Sequence, residues 1–174
     1  MKDNLQTIYN GFAKSYEENR GFFDISQILD SFYSQLALEQ GQLLDLGCGA
    51  GEPVARYFVN RGWSVTGIDF SERMLELAAS YVPEMETMHA DITEVKFEAS
   101  SFNAITASYS LFHVAASEHV ALFEKIHQWL QPGGKAFFTY ATQPYTGTAQ
   151  LYGLKTLLEQ ELFISNKQLQ NLSP

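Results

Sequence analysis

Residues 43–53 read Leu43-Leu44-Asp45-Leu46-Gly47-Cys48-Gly49-Ala50-Gly51-Glu52-Pro53. Apolar residues flank one acid, and then glycines recur at alternate positions, the pattern of a buried strand that breaks into a tight loop. The residues after the loop have helical spacing, so the unit is strand, glycine loop and helix. Alternating glycines let the backbone turn without Cβ clashes and let a ligand lie directly on the main chain. The helix that follows is expected to aim its free N–H groups and positive end at that ligand.

Spacing narrows the ligand. A dinucleotide fingerprint requires a small residue at its third conserved position, where helix packs on strand beneath a pyrophosphate. Gly47 and Gly49 fit, but Glu52 stands where the small residue belongs, which disfavours a nicotinamide oxidoreductase. No G-x-x-x-x-G-K-[ST] run exists for a phosphate cradle. Acids on both sides of the loop, Asp45 and Glu52, suit a ligand with a cationic end and no phosphate. The run Asp45-Leu46-Gly47-Cys48-Gly49-Ala50-Gly51 resembles the glycine-rich motif of the class I S-adenosylmethionine-dependent methyltransferases, whose ligand carries a sulfonium and an ammonium.

Composition sets the frame. The 174 residues are 45% hydrophobic, the size of one domain with its own core. A formal charge of −9 argues against nonspecific nucleic-acid or anionic-membrane binding. The single cysteine, Cys48, cannot form an intrachain disulfide, and no leader or long apolar span is visible, so a cytoplasmic, soluble protein is expected.

Along the chain, Leu5, Ile8, Phe12 and Tyr16 share one helix face, and Ile25, Ile28, Leu29, Phe32 and Leu36 share another, with Gly41 in the usual C′ place. Two helices before the first strand resemble the N-terminal cap of the same family, which implies that Tyr16 and Arg20 sit where they can reach the cofactor. Ordinary packing accounts equally well for Tyr16. Pro53 suits the first turn of the helix after the loop. Trp63 to Ile68 reads as the second strand, ending at Asp69, close to the spacing at which an acid in a βαβ unit meets a ribose diol. Ser71 is a good N-cap for the next helix, whose inner face is Met74, Leu75, Leu77 and Ala78. By the resemblance, Phe70 and Met74 flank the adenine ring; periodicity alone makes Met74 core filler. Met85 to Ala90 is a third strand, and Asp91-Ile92 at its end resembles the family's adenine contact, a carboxylate to the exocyclic amine and a backbone N–H to a ring nitrogen.

Phe102 to Ala107 is a near-continuous apolar fourth strand. Ligands bind at the carboxyl ends of strands in an open α/β sheet, so Ser108 to His113 should edge the transfer pocket, with Ser108 beside the cofactor. His113 is the side chain there that could act as a base, although a structural hydrogen bond explains it at least as well. His119 and His127 read as packing or surface residues, and no metal site is indicated. Val120 to Trp129 is a helix, Pro132-Gly133-Gly134 a turn, and Lys135 to Thr142 a fifth strand; the run Leu130 to Tyr140 also resembles the family. Leu151, Leu154, Leu158 and Leu162 predict one more helix.

The expected fold is therefore α/β: a three-layer, Rossmann-like, doubly wound, mainly parallel sheet with helices on both faces. The expected domain is single: a helical cap over residues 1–40, a cofactor-binding core over 41–142 and a helical segment over 143–174. The closing β-hairpin of the family is missing from this reading. A bare fifth strand would be a sticky edge and would favour a homodimer. The resemblance implies methyl transfer from S-adenosylmethionine, giving S-adenosylhomocysteine, to an acceptor expected to be a small molecule. Asp45 and residues 47–51 would hold the amino-acid end, Asp69 the ribose, and Phe70, Met74, Asp91 and Ile92 the adenine. A noncatalytic module binding S-adenosylmethionine or S-adenosylhomocysteine is the alternative, favoured by the short C-terminus.

Overall fold

A computed structural model describes residues 24–139 and 161–165. Helix α1 (Ser26–Leu36) precedes β1 (Gln42–Leu46), α2 (Val54–Val59), β2 (Ser64–Asp69), α3 (Glu72–Tyr81), β3 (Glu86–His89), β4 (Phe102–Ala107), two short 3₁₀ turns, α4 (His119–Trp129), β5 (Leu130–Thr139) and β6 (Glu161–Ser165). Among the described residues the sheet runs β3-β2-β1-β4-β5-β6, parallel from β3 to β5. The order reverses between β1 and β4, and the crevice at their carboxyl ends is where such sheets bind ligands.

Alternation along the strands builds the two cores. Leu43, Val65, Ala104 and Phe137 face one side and pack with Phe32 of α1 and Phe58 of α2. Leu44, Leu46, Ile68, Ile105 and Phe138 face the other and meet Leu122, Ile126 and Trp129 of α4. Strands buried on both faces read as continuous apolar runs, as Phe102–Ala107 does. The Phe32 ring lies 5.7 Å from Phe137 and 6.2 Å from Phe58, tying α1 to the sheet.

At the amino-terminal end of the sheet, Asn103 joins three strands. Its Oδ1 accepts the Gln42 N–H at 2.8 Å, and its Nδ2 donates to Gln131 Oε1 at 2.8 Å. Gly41 serves this contact: a Cβ there would lie 2.8 Å from Asn103 Oδ1. Gly41 does not cap α1 as its position suggested. The helix ends earlier, with Ala37 left-handed at φ 53, because the Glu39 carbonyl is captured by Tyr33 Oη and Trp63 Nε1 at 3.1 and 3.2 Å.

Three other expectations are corrected. Pro132-Gly133-Gly134 is a bulge inside β5 and not a turn before it: Phe102 pairs with Leu130 and Ala104 with Lys135, so β5 carries extra residues there. The helix expected to include Leu162 gives way to a strand, Glu161–Ser165, antiparallel to β5 with Phe137 opposite Phe163. One antiparallel closing strand of the hairpin thought missing is thus present, and the β5 edge thought bare is covered, so the dimer expected through that edge loses its basis. Tyr16, Arg20 and the first expected helix lie outside the described residues. Among the described residues no helix is long and apolar enough to cross a membrane.

Candidate cofactor-binding site

The glycine loop is held by β2. Gly47 and Cys48 donate their N–H groups to the Ile68 carbonyl at 2.8 and 2.9 Å, and the Gly51 N–H closes on the Cys48 carbonyl at 2.9 Å. Gly47 and Gly51 have φ of 76 and 82, in the left-handed region that glycine adopts freely. Close approach also matters at Gly67 of β2, where a Cβ would lie 2.7 Å from Cys48 Sγ. Cys48 is therefore seated on the bare face of Gly67, and burial pushes its thiol well above the usual range, which removes it as a nucleophile. Helix α2 has only six residues, too short for a long helix field, and the Gly47, Cys48, Gly49 and Gly51 N–H groups are taken up in holding the loop itself.

Asp69 closes the loop onto the end of β2. Its Oδ2 accepts the Gly49 N–H at 2.9 Å and its Oδ1 the Ser71 N–H at 2.8 Å. Each carboxylate oxygen has two lone-pair sites, so the same group retains acceptor capacity for a diol. Burial raises its pKa, against the pull of the backbone N–H groups. Ser71 is the N-cap expected of it: its Oγ accepts the Met74 N–H at 3.3 Å. That start of α3 brings Met74 against the loop, its Cε 3.2 Å from where a Gly49 Cβ would be. Phe70 is half-buried beside it, and Ala50 and Met74 belong to one small apolar cluster with Leu77.

After β3, Asp91 folds its own loop: Oδ1 accepts the Thr93 N–H at 2.8 Å and the Thr93 hydroxyl at 2.7 Å, while Ile92 is buried. Lys125 of α4 donates to the Thr93 carbonyl at 2.6 Å and fixes that loop from behind. Sequence reasoning missed Lys125, whose role depends on a contact across the fold.

Asp45 lies beneath the loop, 3% exposed, with Thr106 Oγ1 donating to its Oδ1 at 2.8 Å. Burial pushes its pKa up to about 7, with Asp69 adding to the rise against the Thr106 hydrogen bond. A raised carboxyl pKa means that the folded chain holds a proton which the unfolded chain, titrating near its ordinary value, has released. This contribution to stability is complete below about pH 4, declines as pH rises and is gone above about pH 7, a loss of about 2–4 kcal/mol. Asp69 is shifted in the same direction. The melting temperature is expected to fall by several degrees between pH 5 and pH 8, and Asp45→Asn should flatten that slope in a calorimetric pH series; an unchanged slope would contradict the assignment.

The β4 end completes the crevice. Ser108 is half-buried, Tyr109 takes a left-handed conformation at φ 58, and Leu111–His113 form a 3₁₀ turn. Burial lowers the His113 pKa, so the imidazole is neutral at pH 7. Thus the loop, Asp69, Phe70, Met74, Asp45 and Ser108 gather around the carboxyl ends of β1, β2 and β4, with Asp91-Ile92 at the end of β3. Two buried acids, Asp45 and Asp69, lie beside the glycine loop, and the missing side chains of Gly47 and Gly49 let Ser110 and Met74 pack directly against it. The signals overlooked in sequence were Gly67 and Thr106, single residues whose meaning comes from neighbouring strands.

A methyltransferase domain family model matches residues 43–134, just over half of the chain and the whole span from β1 to the β5 bulge. The chain is 30% identical over 154 residues to phosphoethanolamine N-methyltransferase 3 of Arabidopsis thaliana, covering 83% of this chain and 31% of that protein. It is 26% identical over 153 residues to demethylmenaquinone methyltransferase of Staphylococcus aureus, with coverages of 82% and 62%. A solved S-adenosylmethionine-dependent methyltransferase from Mesorhizobium loti superposes with a TM-score of 0.59 at 29% identity, over 66% of this chain and 52% of that one. The chain spans about a third to three fifths of the length of these two curated relatives. On the family model matched over residues 43–134 and the superposition on a solved relative, the chain belongs to the methyltransferase domain family, of the class I S-adenosylmethionine-dependent type.

Proposed function

We propose that the chain binds S-adenosylmethionine in the crevice between β1 and β4 and serves the transfer of its methyl group to a small-molecule acceptor. The observation that carries this reading is the pair of hydrogen bonds from Gly49 and Ser71 to Asp69, which sets a carboxylate at the tip of β2 directly against the glycine loop. In this arrangement Asp45 and the 47–51 backbone hold the amino-acid end. Asp69 accepts the ribose hydroxyls, and Phe70, Met74, Asp91 and Ile92 bracket the adenine. The bound cofactor supplies an activated methyl on a sulfonium. What the protein adds is alignment of donor and acceptor with exclusion of water, which in a bimolecular displacement is worth much of the barrier. His113, neutral and half-buried after β4, is the candidate base for an acceptor that must shed a proton.

The relatives named above act on chemically unlike acceptors, an amino alcohol phosphate and a quinone by their names, so the acceptor follows from the loops after β4 and β5 and not from the shared core. Tyr145 and Tyr152, aromatic residues of the segment after β5, lie outside the described residues. A cytoplasmic setting is consistent with this proposal. The test is calorimetric titration with S-adenosylmethionine and S-adenosylhomocysteine, followed by a screen of metabolites with tritiated methyl donor. Saturable heat with both and label in at least one metabolite is expected. Silence in both titrations would remove the proposal, and binding without transfer to any metabolite would favour the noncatalytic module.

A further inference from the structure

One charged side chain stands where the spacing of α4 calls for an apolar one. Leu122, Ile126 and Trp129 form the buried stripe of this helix, and Lys125 lies within it, half-buried. A charge drawn out of water needs polar partners, and Lys125 finds them on another segment of the chain. Its Nζ donates to the Thr93 carbonyl at 2.6 Å and to the Val95 carbonyl at 3.4 Å.

Those carbonyls close the turn that follows β3. Asp91 opens it: its carbonyl accepts the Glu94 and Val95 N–H groups at 2.9 and 3.2 Å, and its Oδ1 accepts the Thr93 N–H and hydroxyl. The turn does not continue into a helix, so its last carbonyls have no following helical N–H, and a lysine ammonium is a suitable cap for them. Ile92 and Val95 seat the turn on the core they share with Leu122 and Ile126. On the side of β3, the Ala90 N–H donates to the Asp69 carbonyl at 3.1 Å. The Asp91 turn is thus tied at one end to the residue proposed for the ribose and at the other to α4.

We propose that Lys125 is a positioning residue for base selection: by capping this turn it fixes the Asp91 carboxylate and the Ile92 N–H, and so sets a preference for adenine over a base of the same shape that carries an oxygen in place of the amine. A carboxylate accepts and a backbone N–H donates, so the pair matches the exocyclic amine and ring nitrogen of adenine. The same pair opposes the carbonyl and ring N–H of hypoxanthine. Rejection of the wrong base requires that the opposed groups be unable to move aside, and that restraint is what the cap supplies. Lys125 acts through the turn and is not itself a contact to the base. This inference rests on the cofactor reading above and adds to it the residue that enforces the choice of base.

The experiment titrates the whole chain with two probes, S-adenosylhomocysteine and S-inosylhomocysteine, which differ only in the base. The wild type is expected to prefer the adenine probe by about a hundredfold. Lys125→Met, which keeps the length of the side chain and removes the donor, should bind S-adenosylhomocysteine about tenfold more weakly and S-inosylhomocysteine within about twofold of wild type, so that the preference shrinks about tenfold. Lys125→Arg, which keeps the charge and the donors, should restore most of it, and Lys125→Gln, shorter and neutral, should fall between. A preference unchanged in both Lys125→Met and Lys125→Gln would overturn the role of Lys125. An equal loss of both probes would overturn it too, since that is the mark of a merely structural contact. A wild type that binds both probes equally removes the base contacts of Asp91-Ile92 and the inference with them, whereas a wild type that binds neither overturns the cofactor reading itself.

Discussion

Asp69→Ala is expected to lose S-adenosylhomocysteine binding by on the order of a hundredfold or more and to lower the melting temperature by on the order of 10 °C. Two effects combine. The carboxylate accepts the Gly49 and Ser71 N–H groups, and hydrogen bonds to charged groups are worth about 1.5–3 kcal/mol each. Alanine leaves both N–H groups without that acceptor and lets the glycine loop drift from the end of β2. On the proposed cofactor reading, the ribose loses its acceptor in the same step. Because stability and affinity fall together, the titration must be run well below the melting temperature of the variant, with the fold checked by circular dichroism. A folded Asp69→Ala that binds within about threefold of wild type would show that the ribose lies elsewhere.

The second large effect is steric. Gly47→Ala would place a methyl group 2.3 Å from Ser110 Cβ, on a residue at φ 76. Ser110 Cβ is bonded directly to the backbone, so no side-chain rotation relieves the overlap; the loop after β1 and the turn after β4 must separate. The left-handed conformation adds about 1–2 kcal/mol for a residue with a Cβ. The variant is expected to fold with a lower melting temperature and to bind S-adenosylhomocysteine on the order of a hundredfold more weakly, since a misplacement of about 1 Å is enough for a loss of that size. Combining it with Ser110→Gly removes the clashing atom and should recover part of the stability. Wild-type affinity in Gly47→Ala alone would mean that the two loops are not held in contact.

The legible parts were those written in local patterns. Phe102–Ala107 was readable to the residue because a strand covered on both faces needs an uninterrupted apolar run. Ser71 announced the start of α3 because an N-cap acts within its own turn. The glycine loop and Asp69 were legible as a pair, since one βα unit carries both. What escaped depended on partners distant in sequence. Gly41 looks like a helix stop, yet its missing side chain serves Asn103. Leu162 has helical spacing with Leu151, Leu154 and Leu158, which lie outside the described residues, yet Glu161–Ser165 takes its conformation from pairing with β5. Ser110 carries no signal of its own; only the bare face of Gly47 gives it a place. Asp45 was legible as an acid beside the glycine loop, but its proton affinity follows from burial and from Thr106, which no spacing rule reports.

Asn103 bears on how such a domain can diversify. It stitches β1, β4 and β5 at the end of the sheet away from the crevice, as a spine binds pages. Loops at the open margin can then be lengthened, shortened or exchanged to admit new acceptors without loosening the binding at the spine, so substrate range and folding robustness are governed by opposite ends of the same strands.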